Sequence, residues 1–153
     1  MLDRFGPSAY PTDMDLRQLG PRYFVSPQIE ATDMPAIKAA GITLILCNRP
    51  DDEVPPSHSS AAIAQAAQDA ALGFAAVPLT MQTIIPDVIA ENHAAGAATG
   101  EVVLAYCASG TRSTIAWSLA QAGTMPADEI MEAGRQAGYD LSSMRRLLDA
   151  PFT

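Results

Sequence analysis

Short apolar segments alternate with helical patterns along this chain, and this alternation restricts the fold more than any other feature. The segments cover residues 23–25, 43–47, 74–79 and 102–106. Each has the length of a strand, and nearly continuous apolar strands are typical of a sheet that is covered on both faces. Strands that alternate with helices are joined by right-handed crossovers and pair mainly in parallel. The pattern therefore predicts an α/β fold with a mainly parallel sheet flanked by helices.

Capping and breaking residues mark the helices between these segments. Ser59 or Ser60 is suited to cap a helix that ends at Gly73, and Pro86 is suited to a first helical turn. The remaining predicted helices cover residues 32–41, 113–122, 127–137 and 141–148.

The composition is that of one domain covering residues 1–153, with 48% hydrophobic and 17% charged residues. The formal net charge is −8, and the basic residues form no cluster beyond Arg145 and Arg146. This balance argues against nucleic acid and against anionic membranes as partners. No apolar run is long enough to span a bilayer, and the first residues lack the pattern of a secretion signal. A cytoplasmic location is therefore expected.

Two of the predicted strands end in residues that can carry chemistry. One strand ends at Cys47 and continues into the segment Asn48-Arg49-Pro50-Asp51-Asp52, and the loop from Cys107 to Arg112 follows another strand. In parallel α/β folds, ligands bind beyond the carboxyl ends of the strands. Two cysteines are too few for a disulfide scaffold, so catalysis or packing is expected for each.

The loop after residue 106 has the features of an anion site that holds a reactive thiol. Amides at a helix N-terminus attract anions and, with Arg112 nearby, favour the thiolate form of Cys107. Gly110 allows the loop to close tightly, and Ser113 is placed to donate its hydroxyl to the thiolate. The alternative is a buried, inert Cys107 and a surface Arg112. The candidate catalytic residues are Cys107 and Arg112, and the candidate substrate-binding residues are Ala108, Ser109, Gly110, Thr111 and Ser113.

Four stretches carry a resemblance to a known family: YFVSPQI, GITLILCNRPDDE, GFAAVPLT and VVLAYCASGTRS. They resemble the phosphatase-like domain of the bacterial beta-lactamase hydrolase-like proteins, over roughly residues 20–125. The segment Cys-x-x-x-x-Arg-Ser is also similar to the loop of rhodanese-type sulfurtransferases and to a shortened loop of cysteine-dependent phosphatases. The resemblance implies a dual-specificity-phosphatase-like fold with a four-stranded parallel sheet, and either sulfurtransferase or phosphatase activity.

Three features favour sulfur transfer. Arg112 lies five positions after Cys107, one fewer than in the phosphatases that the loop resembles, and Tyr106 stands where those phosphatases usually have histidine. The segment Val77-Pro78-Leu79-Thr80, where such phosphatases carry an aspartate as general acid, has no carboxylate. We therefore predict a sulfurtransferase that forms a persulfide on Cys107, takes sulfur from a small anionic donor and passes it to a thiol acceptor.

The alternatives are a phosphatase acting through a phosphocysteine, in which Asp51, Asp52 or Asp87 supplies the acid, and a degenerate anion-binding regulatory module. Relatives of this domain are often fused to a persulfide dioxygenase, so a separate partner of that kind is a further expectation.

Several other side chains near the two strand ends have two interpretations each. Cys47 is expected to pack in the core, or to form a protective disulfide with Cys107 as a comparable cysteine does in some related phosphatases. Arg49 is expected either to attract an anion or to form a surface salt bridge. His58 and His93 have no partner at ligand spacing, so neither a metal nor another cofactor is predicted.

Overall fold

The computed structural model describes residues 14–153, which form one α/β domain built on a five-stranded sheet. The strands are β1 (Arg17–Gly20), β2 (Tyr23–Ser26), β3 (Leu44–Cys47), β4 (Gly73–Ala76) and β5 (Val103–Tyr106). Their order across the sheet is β1-β2-β5-β3-β4, and every neighbouring pair is parallel except the β1–β2 hairpin. The predicted α/β class and the mainly parallel sheet are confirmed.

Six α-helices accompany the sheet within this part of the chain. They are α1 (Met34–Ala39), α2 (Ser60–Asp69), α3 (Pro86–Ala95), α4 (Thr111–Gln121), α5 (Ala127–Gln136) and α6 (Arg145–Leu148). Ser59 caps α2 by accepting a hydrogen bond from the amide of Ala62, and Pro86 begins α3, as the sequence predicts.

The central strands β3 and β5 are buried along their whole length because helices cover both faces of the sheet. Successive side chains of a strand point to opposite faces, so adjacent residues enter different cores. Leu46 and Ala105 join one core, which also contains Trp117 of α4 and Ile130 of α5. On the other face, Ile45 packs in a second core with residues of α1 and α2.

The predicted four-stranded sheet lacks one strand that the structure contains. β1 carries only one buried side chain, Leu19, so its short polar sequence gives no hydrophobic pattern. It becomes a strand because it pairs antiparallel with β2 across the turn at Pro21 and Arg22. The difference arises because a partner strand, and not the segment itself, supplies the hydrogen bonds.

Helix boundaries differ from the predictions at several places. The helix predicted over 32–41 is a turn of 3-10 helix at Ala31–Asp33 followed by α1, and α2 ends at Asp69, before the predicted end at Gly73. Helix α4 begins at Thr111, two positions before the predicted start at residue 113, because Gly110 takes a left-handed conformation with φ of 90° and ends the loop there. The predicted helix 141–148 is a turn of 3-10 helix at Ser142–Met144 followed by the single turn α6.

No helix within residues 14–153 is long and apolar enough to cross a membrane. The prediction that the first residues form no secretion signal concerns residues 1–13, which lie outside the described part of the chain.

Candidate active site

The carboxyl ends of β3 and β5 lie side by side at one edge of the sheet, so the two segments singled out in the sequence meet there. Cys47 pairs with Tyr106 in the parallel register, and the amide of Asn48 donates to the carbonyl of Tyr106 over 2.8 Å. The segment that follows Cys47 is thereby placed beside the loop that begins at Cys107.

The Cys107 loop is held by hydrogen bonds to its outward-facing carbonyl groups. The carbonyl of Ala108 accepts from the amide of Gln28 (3.3 Å), and that of Ser109 accepts from the hydroxyl of Tyr139 (3.0 Å). Thr114 donates its hydroxyl to the carbonyl of Gly110 over 2.8 Å. In a trans peptide the N–H points opposite to the preceding C=O, so these contacts fix the directions of the amides of Ser109, Gly110 and Thr111.

Cys107 is fully buried at the base of this loop, at the end of β5 and before the N-terminus of α4. The amide of Gly110 donates to its Sγ atom over 3.1 Å. The amide of Thr111 instead makes a long contact of 3.4 Å with the hydroxyl of Ser109. The sequence predicts that the amides from Ala108 to Arg112 converge near this sulfur, and the amide of Gly110 is the one that hydrogen-bonds to it among the described residues.

Arg112 is fixed beside the loop by a two-pronged ion pair. Its Nη1 and Nη2 atoms donate to the two carboxylate oxygens of Glu53, each over 2.8 Å, and Nη1 also donates to the carbonyl of Leu79 over 2.8 Å. A guanidinium has five N–H donors, so three are used. The remaining two, on Nε and Nη2, are not used by Glu53 or Leu79, and the further side chain that interacts with this guanidinium is Cys107.

The two unused donors of Arg112 lie along the same edge of the guanidinium plane. Such an edge is the planar fork that binds a phosphate or carboxylate with two parallel hydrogen bonds. Glu53 raises the pKa of Arg112 through its hydrogen bonds, and the interaction with Cys107 raises it further. Arg112 is therefore held as a cation next to the sulfur, with one binding edge available.

Glu53 connects two arginines at the mouth of the site. It lies in a short 3-10 helix (Asp51–Glu53) after β3, and Arg49 donates its Nε–H to the same carboxylate over 3.3 Å. Hydrogen bonds from Arg112 lower the pKa of Glu53, so this carboxyl is ionised at neutral pH. For Arg49, the structure shows the expected salt bridge, and its Nη1 atom also donates to the side chain of Gln28.

A buried polar network lies beneath the loop and corrects the role expected for Ser113. The hydroxyl of Ser113 donates to Oδ1 of Asn48 over 2.8 Å and not to the sulfur of Cys107. Asn48 in turn donates its Nδ2 hydrogens to the carbonyl of Val77 (2.9 Å) and to Oδ1 of Asn92 (2.7 Å). Ser113 is fully buried, so its hydroxyl bonds to the acceptor that β3 provides.

The three carboxyls considered as general acids have different surroundings. Both oxygens of Asp51 accept hydrogen bonds from Ser60, from its amide over 2.7 Å and from its hydroxyl over 3.1 Å. Asp51 thus helps to cap α2. Asp52 and Asp87 are both exposed, Asp52 beside Glu53 and Asp87 in the first turn of α3.

Cys47 lies in the second core with Tyr106, its neighbour across the two strands. Its thiol donates to the carbonyl of Arg49 over 3.4 Å, and burial raises its pKa. Both cysteines are free thiols. This environment agrees with a packing role for Cys47, and a disulfide with Cys107 stays a prediction.

Sequence reasoning missed three residues that shape this site. Glu53, Asn48 and Tyr139 were not among the candidates, although each is polar, Asn48 directly follows the buried strand β3, and Glu53 lies in the short 3-10 helix after it. A further acidic residue after Asp51 and Asp52 was the available signal for Glu53. Tyr139 gives no comparable signal, because its contact with Ser109 spans 30 positions of sequence.

Comparison with protein families gives a match over most of the chain. Residues 15–124 match the model described as the phosphatase-like domain of beta-lactamase hydrolase-like proteins. A beta-lactamase hydrolase-like protein of Agrobacterium fabrum is 28% identical over 135 residues, which cover 86% of this chain and 31% of that protein. The chain thus spans about a third of the length of the curated relatives it matches.

Solved structures show the same fold. A candidate phosphatase from Neisseria meningitidis Z2491 has a TM-score of 0.76 and 34% identity, covering 90% of this chain and 98% of the other. P. aeruginosa TpbA in complex with pTyr has a TM-score of 0.57 and 15% identity, covering 92% of this chain and 94% of the other. The second likeness shows the fold alone. Together the comparisons show a phosphatase-like domain, and none of the relatives named here is described as a sulfurtransferase.

Proposed function

Because the chain belongs to the family of phosphatase-like domains of beta-lactamase hydrolase-like proteins, we propose that this domain is a cysteine-dependent phosphatase acting on small phosphate monoesters. Cys107 is the nucleophile, and Arg112 clamps the phosphoryl oxygens. The observation that carries the proposal is the guanidinium of Arg112, which Glu53 holds in place beside the Cys107 side chain with its Nε/Nη2 edge not used by Glu53 or Leu79. A doubly charged phosphate matches that edge and the loop amides.

The reaction takes two steps. The Cys107 thiolate attacks phosphorus, so that a sulfur–phosphorus bond forms while the phosphorus–oxygen bond of the ester breaks and the leaving oxygen departs as an alkoxide or phenolate anion that takes its proton from solvent. Water then attacks the phosphocysteine, which releases inorganic phosphate, restores the thiolate and gives a proton to solvent. Arg112 and the amides of the loop stabilise the charge of the equatorial oxygens in both steps.

The leaving oxygen needs a proton or must be stable as an anion. Glu53 is ionised and paired with Arg112, and Asp51 caps α2. Asp52 and Asp87 are exposed and make no hydrogen bond to the Cys107 loop within residues 14–153, so no carboxyl is placed as an acid. We therefore expect aryl phosphates, whose leaving groups are weak bases, to be better substrates than alkyl phosphates. A general acid contributes typically about 10²-fold or more, so 4-nitrophenyl phosphate should exceed an alkyl phosphate by at least this factor in kcat/KM.

Sulfur transfer remains a second candidate because of the short spacing from Cys107 to Arg112. In that reaction the Cys107 thiolate attacks the outer sulfur of thiosulfate, sulfite leaves as a stable anion, and a thiol acceptor removes the bound sulfur. No acid is needed in this reaction. A separate persulfide dioxygenase as partner belongs to this second candidate.

One pair of measurements separates the two candidates. The purified protein is incubated with 4-nitrophenyl phosphate or with thiosulfate, and the released phosphate and the intact mass are measured. We expect phosphate release and, after rapid acid quenching, the mass of one phosphoryl group on Cys107. Cys107→Ser should be inactive, whereas Cys47→Ala, which removes the other thiol, should retain activity. A wild-type protein that releases no phosphate but gains one sulfur atom from thiosulfate would overturn the proposal.

A further inference from the structure

An apolar groove of about 580 Å³ lies beside the Cys107 loop. It runs between α4, the segment after β4 and the C-terminal residues that follow α5. Its apolar lining consists mainly of Met81, Ile84, Ile115, Leu119, Leu147 and Phe152. The volume falls in the range of sites that bind small organic molecules.

The groove shares its wall with the candidate active site. Thr111, the first residue of α4, and Thr114 line the groove, and Thr114 also holds the loop through the carbonyl of Gly110. Tyr139 lines the groove and donates its hydroxyl to the carbonyl of Ser109. The groove therefore continues directly from the loop that would hold a phosphoryl group.

Exposed apolar side chains are concentrated at this groove. Within residues 14–153 three large hydrophobic side chains are exposed, and two of them, Met81 (63%) and Leu147 (51%), line the groove. The third, Ile85 (49%), does not line it. Exposed apolar side chains that cluster in one concavity indicate a binding site, whereas scattered ones are normal on protein surfaces.

We propose that this groove binds the apolar organic group of a phosphate monoester whose phosphate lies in the Cys107 loop. The inference rests on the proposed phosphatase function and names its substrate class: esters with an aryl or extended apolar alcohol. The anionic end is matched by Arg112 and the loop amides, and the organic end leaves the loop past Thr111 and enters the groove. Transfer of the apolar organic group from water into the groove is favourable and lowers KM for such esters.

A series of phosphate esters with one leaving group and growing apolar length tests the proposal. The series consists of 4-acetylphenyl, 4-butanoylphenyl and 4-hexanoylphenyl phosphate, called the acetyl, butanoyl and hexanoyl esters below. Their leaving phenols have nearly equal acidity. Each methylene that is fully buried contributes about fourfold, so kcat/KM should rise by about tenfold or more from the acetyl to the hexanoyl ester. Equal values across the series would overturn the proposal.

Variants at the rim of the groove locate the effect. Leu147→Ser and Met81→Ser should each reduce the ratio of kcat/KM between the hexanoyl and acetyl esters by roughly threefold or more. The readout is a ratio, so a general loss of activity does not affect it. Ile85→Ser is the matched control, since it removes an equally exposed apolar side chain outside the groove and should keep the ratio. A ratio that falls equally in all three variants would contradict the groove.

A binding measurement separates this inference from the proposed function. The wild-type protein is titrated calorimetrically with 4-acetylbenzylphosphonate and with 4-hexanoylbenzylphosphonate, which cannot be hydrolysed. If no ester releases phosphate, the proposed function fails, but tighter binding of the longer phosphonate, lost in Leu147→Ser, would still support the groove. Equal dissociation constants would overturn the groove whatever the enzyme activity is.

Discussion

At the scale of single residues, Glu53 decides how Arg112 faces the sulfur of Cys107. The carboxylate occupies the end of the guanidinium, and the carbonyl of Leu79 accepts a third hydrogen bond, so only the Nε/Nη2 edge is left for an anion. A mobile arginine would have to become ordered when substrate binds, and the lost side-chain entropy would weaken the binding. Glu53 is thus a positioning residue for the proposed reaction.

Replacement of Glu53 tests this positioning role. Glu53→Gln removes the charge that holds Arg112, and kcat/KM for 4-nitrophenyl phosphate should fall roughly tenfold, the size expected for a lost charge-assisted hydrogen bond. Stability should change by less than about 1 kcal/mol, because the pair is partly exposed. Glu132→Gln is the control, since it breaks a similar pair with Arg135 on α5. Unchanged kcat/KM in Glu53→Gln would contradict the role.

The activity difference between the wild-type protein and Glu53→Gln should depend on pH in one direction. Arg112 lowers the pKa of Glu53, so the ion pair is complete above the ordinary glutamate range and is lost as pH falls through the lowered pKa. The advantage of the wild-type protein over Glu53→Gln should therefore shrink on acidification and stay constant near neutral pH. Rates measured over this range, with circular dichroism to confirm folding, check the expectation. An advantage that grows at low pH would exclude it.

Gly110 is required in the loop for two separate reasons. Its φ of 90° is strained for any other residue, and an added Cβ would meet the hydroxyl of Tyr139. Gly110→Ala should destabilise the fold by about 1–3 kcal/mol and displace Tyr139 from the carbonyl of Ser109, with a large loss of activity. Gly100→Ala is the control, because Gly100 has a similar φ of 80° and nothing within 4 Å of the added atom. Equal activity in both variants would show that crowding at Tyr139 is unimportant.

At the scale of elements, the segment after β3 has two tasks that the sequence does not distinguish. Asp51 hydrogen-bonds to Ser60 at the start of α2, while Glu53, two positions later, reaches the active-site arginine. The 3-10 helix that contains both residues turns their side chains to different neighbours. A row of acidic residues therefore serves both a helix cap and an ion pair.

Asp51 can be tested as a cap against its alternative role as a general acid. Asp51→Ala should lower the free energy of unfolding by about 1 kcal/mol and change kcat little, because the lost contacts belong to the end of α2. Ser59→Ala removes the other cap of the same helix and should have a similar effect on stability. Chemical denaturation and phosphate release measure the two quantities. A fall in kcat of about 10²-fold in Asp51→Ala alone would instead identify the acid.

At the scale of the whole molecule, two cores share a single sheet. Ile45 and Leu46 are adjacent in β3, yet Ile45 packs with α1 and α2 while Leu46 packs with the helices of the other face. Both side chains are fully buried. Because one strand belongs to both cores, loss of either core removes the support of the other.

This sharing predicts a single unfolding transition. Ile45→Ala and Leu46→Ala should each cost about 2–5 kcal/mol, and in each variant the fluorescence of Trp117 and the far-UV circular dichroism should change together. Trp117 is the only tryptophan and lies in the core of Leu46. If Ile45→Ala lost helical signal before the fluorescence changed, the two cores would be separate cooperative units.

Short sequence patterns were not sufficient to choose between sulfurtransferase and phosphatase activity. The spacing of Cys107 and Arg112 and the absence of a nearby aspartate are properties of short segments, and they favoured sulfur transfer. Family membership and the fold favour phosphate. The activity depends on the whole site, whose charged residues come from segments that are distant in sequence. A short segment therefore does not show all of them.

The sequence by itself determined the features that depend on neighbouring residues. Apolar runs predicted four of the five strands, Ser59 and Pro86 marked two helix starts, and the segment from Cys107 to Arg112 indicated the site. Only the tertiary structure decided which side chains pair with one another in the site. Glu53 meets Arg112 across 59 positions, and Ser113 meets Asn48 across 65, because β3 pairs beside β5. Strand order sets which loops become neighbours, and a buried donor bonds to whichever acceptor that order supplies.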